Sequence, residues 1–131
     1  MIPKNDLRKI ALARLKDAQL LFDKGRYDGA AYLCGYAVEV GLKWRICRTL
    51  HWKEFPSSKS EFQDLQSFRT HNLEALLHLS GIEVKIRNRY RSEWSSVGTW
   101  NPEDRYKSVG TATKNGAFLM IEATRTLLKV I

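Results

Sequence analysis

Gly29 to Leu50 reads GAAYLCGYAVEVGLKWRICRTL, and from Gly29 through Leu42 its only charged residue is Glu39. A helix that is apolar nearly all round is buried on most of its faces. Ala30, Ala31, Gly35, Ala37 and Gly41 are small, so neighbouring helices can approach it closely. Glycine inside a helix costs about 1 kcal/mol against alanine, so two of them indicate that packing outweighs propensity here. The stretch is therefore predicted to be the central helix of a helical domain, with Asp28 as its N-cap.

Working outward, Asp6 to Lys24 carries Leu7, Ile10, Ala11, Leu15, Ala18, Leu21 and Phe22 at helical spacing and ends at Gly25. Beyond the central helix, Trp52 to Phe68 is irregular, with a short helical turn expected at Glu61–Gln66. Thr70 is predicted to cap a helix from His71 to Ser80, stopped by Gly81. A basic helix is expected from Ile82 to about Ser92. The segment Trp94 to Pro102 reads as an ordered loop pinned by Trp94 and Trp100. The last helix is expected from about Thr113 to Ile131.

At 131 residues and 15.1 kDa the chain suits one domain over residues 1–131. Hydrophobic residues make up 44% and charged residues 27%, a globular rather than a disordered composition. Three prolines and eight glycines favour helices over a many-turned β fold. The formal charge is +8, and the excess lies in the outer thirds. Residues 1–51 carry ten Lys/Arg against five Asp/Glu, residues 52–81 three against four, and residues 82–131 nine against five. Such a balance favours polyanionic partners, such as RNA, DNA or nucleotide phosphates, although drift also produces basic domains. Cys34 and Cys47, thirteen residues apart on one predicted helix, would sit about 20 Å apart and cannot bridge each other. The start lacks an apolar signal region, and no uncharged run is long enough to cross a bilayer, so a cytoplasmic location is expected.

Glu39 is the residue most in need of an explanation. A buried lone carboxylate must be paired, hydrogen-bonded or facing a cleft. Lys43 lies at i+4, and Tyr32 and Tyr36 complete the same stripe. Two readings stand: an ion pair that fixes helix register, or a pocket holding an acid, a base and stacking rings. Arg105-Tyr106 precedes the last helix, where an arginine beside an aromatic could clamp a phosphate or stack a base, or simply bond loop carbonyls. Lys85, Arg87, Arg89 and Arg91 alternate around their helix and read as a solvated basic surface. Cys47 and His51 at i,i+4 lack a second ligand pair, so neither metal nor cofactor is expected. There is no Walker loop, no GxGxxG and no nucleophile elbow.

The run from Ala11 to Lys43, ALARLKDAQLLFDKGRYDGAAYLCGYAVEVGLK, resembles the front of the HEPN domain. Residues 70–77, THNLEALL, match that family's His-x-Leu-x-x-Leu-Leu helix. Trp94, Trp100, Glu103 and Arg105-Tyr106 match its Trp…Arg-Tyr segment before the final helix. The resemblance spans nearly the whole chain, four motifs in the family's order. It implies an all-α, up-and-down bundle of four to five helices that forms homodimers. It also implies association with nucleotides or RNA beside a minimal nucleotidyltransferase, in toxin–antitoxin pairs among other settings. By position the family's polar residues fall on Glu39, Lys43, His71, Arg105 and Tyr106, and Tyr36 joins them from the seam.

Some branches of the family are metal-independent ribonucleases with an Arg-x(4–6)-His motif, in which histidine exchanges protons and arginine steadies the phosphate. Only three histidines exist here. The arginine positions for His71 hold Asp64, Leu65 and Gln66, and those for His78 hold His71, Asn72 and Leu73. His51 alone has a partner, Arg45. The expectation is thus a binding module lacking the usual nuclease site. A ribonuclease using Arg45 and His51, and a purely structural dimeric adaptor, are the alternatives.

Overall fold

The computed structural model describes residues 1–131, and the chain is mostly helical, with six α-helices. Helix α1, Lys4–Asp23, turns back at Gly25, whose φ of +74° suits a residue without a Cβ. Helix α2, Tyr27–Thr49, then runs against α1 through their largest shared contact. Ala30, Cys34, Ala37, Val38, Leu42, Ile46 and Cys47 of α2 are all fully buried, as its near-uncharged sequence requires. Helix α6, Lys114–Val130, closes over α1 and α2 with Met120, Ile121, Leu127 and Leu128, and Thr113 caps it by accepting from Gly116 N–H.

The remaining helices are short: α3 Leu73–Leu79, α4 Glu83–Arg89 and α5 Arg91–Val97. They bring Leu73, Leu76, Leu77, Ile86, Trp94 and Val97 into the same continuous core. The only strands are β1, Ile2–Pro3, and β2, Glu54–Phe55, two residues each and paired antiparallel with Ile2 opposite Phe55. That pairing tethers the connection after α2 to the start of α1, and Lys4 N–H reinforces it by donating to Lys53 carbonyl. Phe55, Phe62, Trp52 and Phe68 pack ring against ring beneath this connection.

Five local expectations are corrected. The Trp94–Pro102 segment is not all loop: Trp94 to Val97 complete α5, and Trp94 donates its indole N–H to Glu74 Oε1 at 2.7 Å. The basic helix from Ile82 breaks at Tyr90 (φ −128°, ψ 36°), so two helices stand where one was expected. The cap of α3 is Asn72, whose side chain accepts from Ala75 N–H, while Thr70 accepts from Asn72 N–H one step earlier. Asp28 does not cap α2. It lies in the first turn, and its two carboxylate oxygens accept the amides of Gly110 and Ala112. Around Glu61 the chain makes turns, with a 3-10 segment only at Gln66–Phe68.

Candidate functional site

Helix α2 presents Tyr32, Tyr36, Glu39 and Lys43 on one stripe, and three separate segments converge on it. Glu39 is 2% exposed, and its Oε1 receives Lys43 Nζ at 3.2 Å. His71 Nδ1 contacts the same oxygen, in a short bond that joins the loop before α3 to the middle of α2. The two donors meet Glu39 from different directions: Lys43 is 17% exposed and lies 5.6 Å above the Phe55 ring, whereas His71 is 67% exposed. A carboxylate on Nδ1 fixes the imidazole's orientation and turns Nε2 away from the protein. His71 itself lies in the Thr70–Asn72 turn, in which Asn72 N–H donates to Thr70 Oγ1 while the Asn72 side chain caps α3.

The segment Pro102–Tyr106, a 3-10 turn, contributes Pro102, Glu103 and Arg105 to the same cavity wall as His71. Asn101 and Asp104 close it as a reciprocal capping box. Arg105 there donates to Pro102 carbonyl at 2.9 Å and lies 4.6 Å from the Tyr106 ring centre. Hydrogen bonding to the Tyr106 side chain, and to a lesser degree to that of Tyr32, raises the pKa of its guanidinium above the ordinary value. Between these segments opens a cavity of about 440 Å³ whose wall includes Tyr36, Glu39, His71, Asn72, Trp100 and Arg105. The size lies within the range of small-ligand clefts.

Of the residues singled out in the sequence, Tyr36, Glu39, His71 and Arg105 share this cavity, and Lys43 supports it from behind Glu39. Tyr106 does not line it. Its ring stands largely in solvent, stacked only by Arg105. Arg45 and His51 are not brought together. Arg45 donates Nη1 to the carbonyl of Ile131 at 3.2 Å, so its guanidinium serves the end of α6. His51 is exposed and sits in the left-handed region, φ +60°, where α2 ends. Cys47, one turn before His51, is buried in the core. No group of three or more His, Cys, Asp or Glu side chains is placed to hold a metal ion. Burial pushes the thiols of Cys34 and Cys47 each up to about 11.

Two residues of the cavity wall were not expected there from the sequence, where Trp100 stood only as a pin of its loop and a family motif residue. Trp100 lies across Gly35, where an added Cβ would come within 2.1 Å of the indole ring, so the glycine is the seat of the tryptophan. Asn72 sets the turn that holds His71, and an Asn followed by a Leu-rich helix was the available signal.

Fold and cleft together define an all-α bundle with a charged seam let into its central helix. Residues 5–49, α1 and α2 with their connection, match the family model described as the HEPN domain. No curated protein and no solved structure matches the chain. No helix is long and apolar enough to cross a membrane.

Proposed function

We propose that the chain is a nucleotide- or nucleic-acid-associated HEPN module that engages its ligand at the cavity between Glu39, His71 and Arg105. The observation that carries the reading is the buried Glu39 carboxylate, held by Lys43 and His71 at the wall of a cleft that Arg105 and Tyr36 also line. A planar guanidinium and an aromatic ring suit a phosphate and a base, and the charge of +8 favours a polyanion's approach. The module would act as a homodimer beside a minimal nucleotidyltransferase, in a toxin–antitoxin-like setting. Its free, buried thiols fit a reducing compartment.

The engagement of Arg45 with Ile131 speaks against the ribonuclease alternative through Arg45 and His51. Incubation of the protein with mixed RNA in chelator, followed by a denaturing gel, tests the binding reading against it. Intact RNA is expected. Cleavage that is abolished by His51→Ala would replace this reading with the ribonuclease.

A further inference from the structure

The chain has three histidines, and the fold gives each a different setting. His71 and His78 both meet a carboxylate through Nδ1, that of Glu39 and that of Glu83. The two carboxylates are not equivalent. Glu39 is 2% exposed, whereas Glu83 is 30% exposed, lies 3.3 Å from His78 and gives its other oxygen to Arg87. His51, exposed where α2 ends, has no such partner.

A carboxylate oxygen only accepts, so in the neutral His71 ring the proton lies on Nδ1 and the lone pair on Nε2. That lone pair is a nucleophile. The ring is 67% exposed and borders the cavity of about 440 Å³, so a small reagent can reach it. Little water competes for a buried acceptor, which strengthens the bond from Nδ1. The same carboxylate also steadies the positive charge that the ring gains when Nε2 forms a bond. Lys43 holds the same Glu39 oxygen, and the Asn72 cap fixes the next residue of the chain. Arg105 on the cavity wall is already engaged, donating to Pro102 carbonyl and lying 3.8 Å from Glu103. The reactivity therefore belongs to the Glu39–His71 pair and not to a phosphate cradle.

We propose that His71 is a phosphoryl-acceptor site, modified at Nε2 by a small phosphodonor of the phosphoramidate or acyl phosphate class. The Nε2 lone pair attacks phosphorus and an N–P bond forms. The donor's P–N or P–O bond breaks, and its electron pair leaves with ammonia or with the carboxylate. Nothing is oxidised or reduced. The positive charge left on the ring is shared through Nδ1–H with Glu39. The product adds negative charge to the wall of the cleft, a change that opposes a polyanion's approach. Glu39 acts here as a positioning residue, and His71 forms the bond.

The test treats the full chain with potassium phosphoramidate at about pH 8, where an ordinary imidazole is mostly neutral. Labelling of each histidine is timed by peptide mass spectrometry under alkaline conditions, which preserve the N–P bond. His71 is expected to label about fivefold faster than His51 or His78 in the folded chain. In urea the three are expected to label alike, and in Glu39→Gln the rate at His71 should fall to that of His51. The urea arm needs no variant, so it decides the matter even if Glu39→Gln folds poorly. Equal rates in the folded chain overturn the assignment, as does a lead at His71 that survives urea or a folded Glu39→Gln. So does the absence of any label on His71. No arm uses RNA, so each of these failures leaves the proposed function standing.

Discussion

Glu39 shows how one residue can organise a domain. A carboxylate enclosed by an apolar helix is tolerable only if its charge is answered nearby, and here both answers fall on Oε1. Glu39→Gln keeps the shape but removes the charge that Lys43 and His71 share. It is expected to lower stability by about 1–3 kcal/mol in chemical denaturation, and to free the His71 ring, visible as averaged imidazole shifts by NMR. Unchanged stability and an unchanged His71 environment would show that the pairing is incidental. Asp28 is the second instructive residue. The two loop amides hold its carboxyl below the ordinary carboxylate range. A depressed folded pKa means that the stabilisation is present above the unfolded value of 3.8 and is lost only as pH falls through the lower folded value. Exchange protection of the Gly110 and Ala112 amides should therefore survive to pH 4 and disappear in stronger acid. In Asp28→Ala it should be absent at every pH.

At the scale of elements, α2 was legible because its composition leaves few solutions: fourteen residues, Gly29 to Leu42, with a single charge cannot face water. Glu39, Lys43 and Tyr36 were legible for the same reason, as polar exceptions on one stripe. Arg105 was legible as a cation beside Tyr106 and His71 through the family resemblance, but nothing in a linear sequence says which loops will reach a helix. The break at Tyr90 was hidden. No glycine or proline marks it, and its cause is tertiary, since Ile86 and then Trp94 and Val97 must all reach one core from a chain that changes direction. The serines around Trp94 read as loop, yet the indole's bond to Glu74 holds them in helix. Asp28 misled for a related reason. Its capping chemistry is real, but its partners lie more than eighty residues away. The seat of Trp100 gives the clearest prediction at this scale. Gly35→Ala places a Cβ within 2.1 Å of the indole, so the ring must leave or α2 must shift. A loss of about 1–3 kcal/mol is expected, as for overpacking elsewhere, with the Trp100 indole resonance moving toward its solvent position. Asn72→Ala should cost about 1 kcal/mol as a lost N-cap, and its effect should extend to His71.

For the whole molecule, the bundle separates two tasks. The α1–α2–α6 core is apolar and closed, with Cys34 and Cys47 sealed in it. The connections around it carry the polar chemistry. Both thiols should resist a disulfide reagent at neutral pH in the folded protein and react together, two equivalents per chain, only on denaturation. Fast labelling of either in native buffer would show that the core opens. The irregular segments at 70–72 and 101–106 meet over the middle of α2, and that meeting makes the cleft. The sharing of one cavity by Arg105 and His71 is the feature on which the functional account turns. It is tested most directly by the fluorescence anisotropy of a labelled single-stranded RNA titrated with wild type and Arg105→Ala at low and at near-physiological salt. The account predicts salt-weakened binding by the wild type and at least tenfold weaker binding by Arg105→Ala with its fold intact. Equal affinity of the two proteins, or no binding by either, would contradict it.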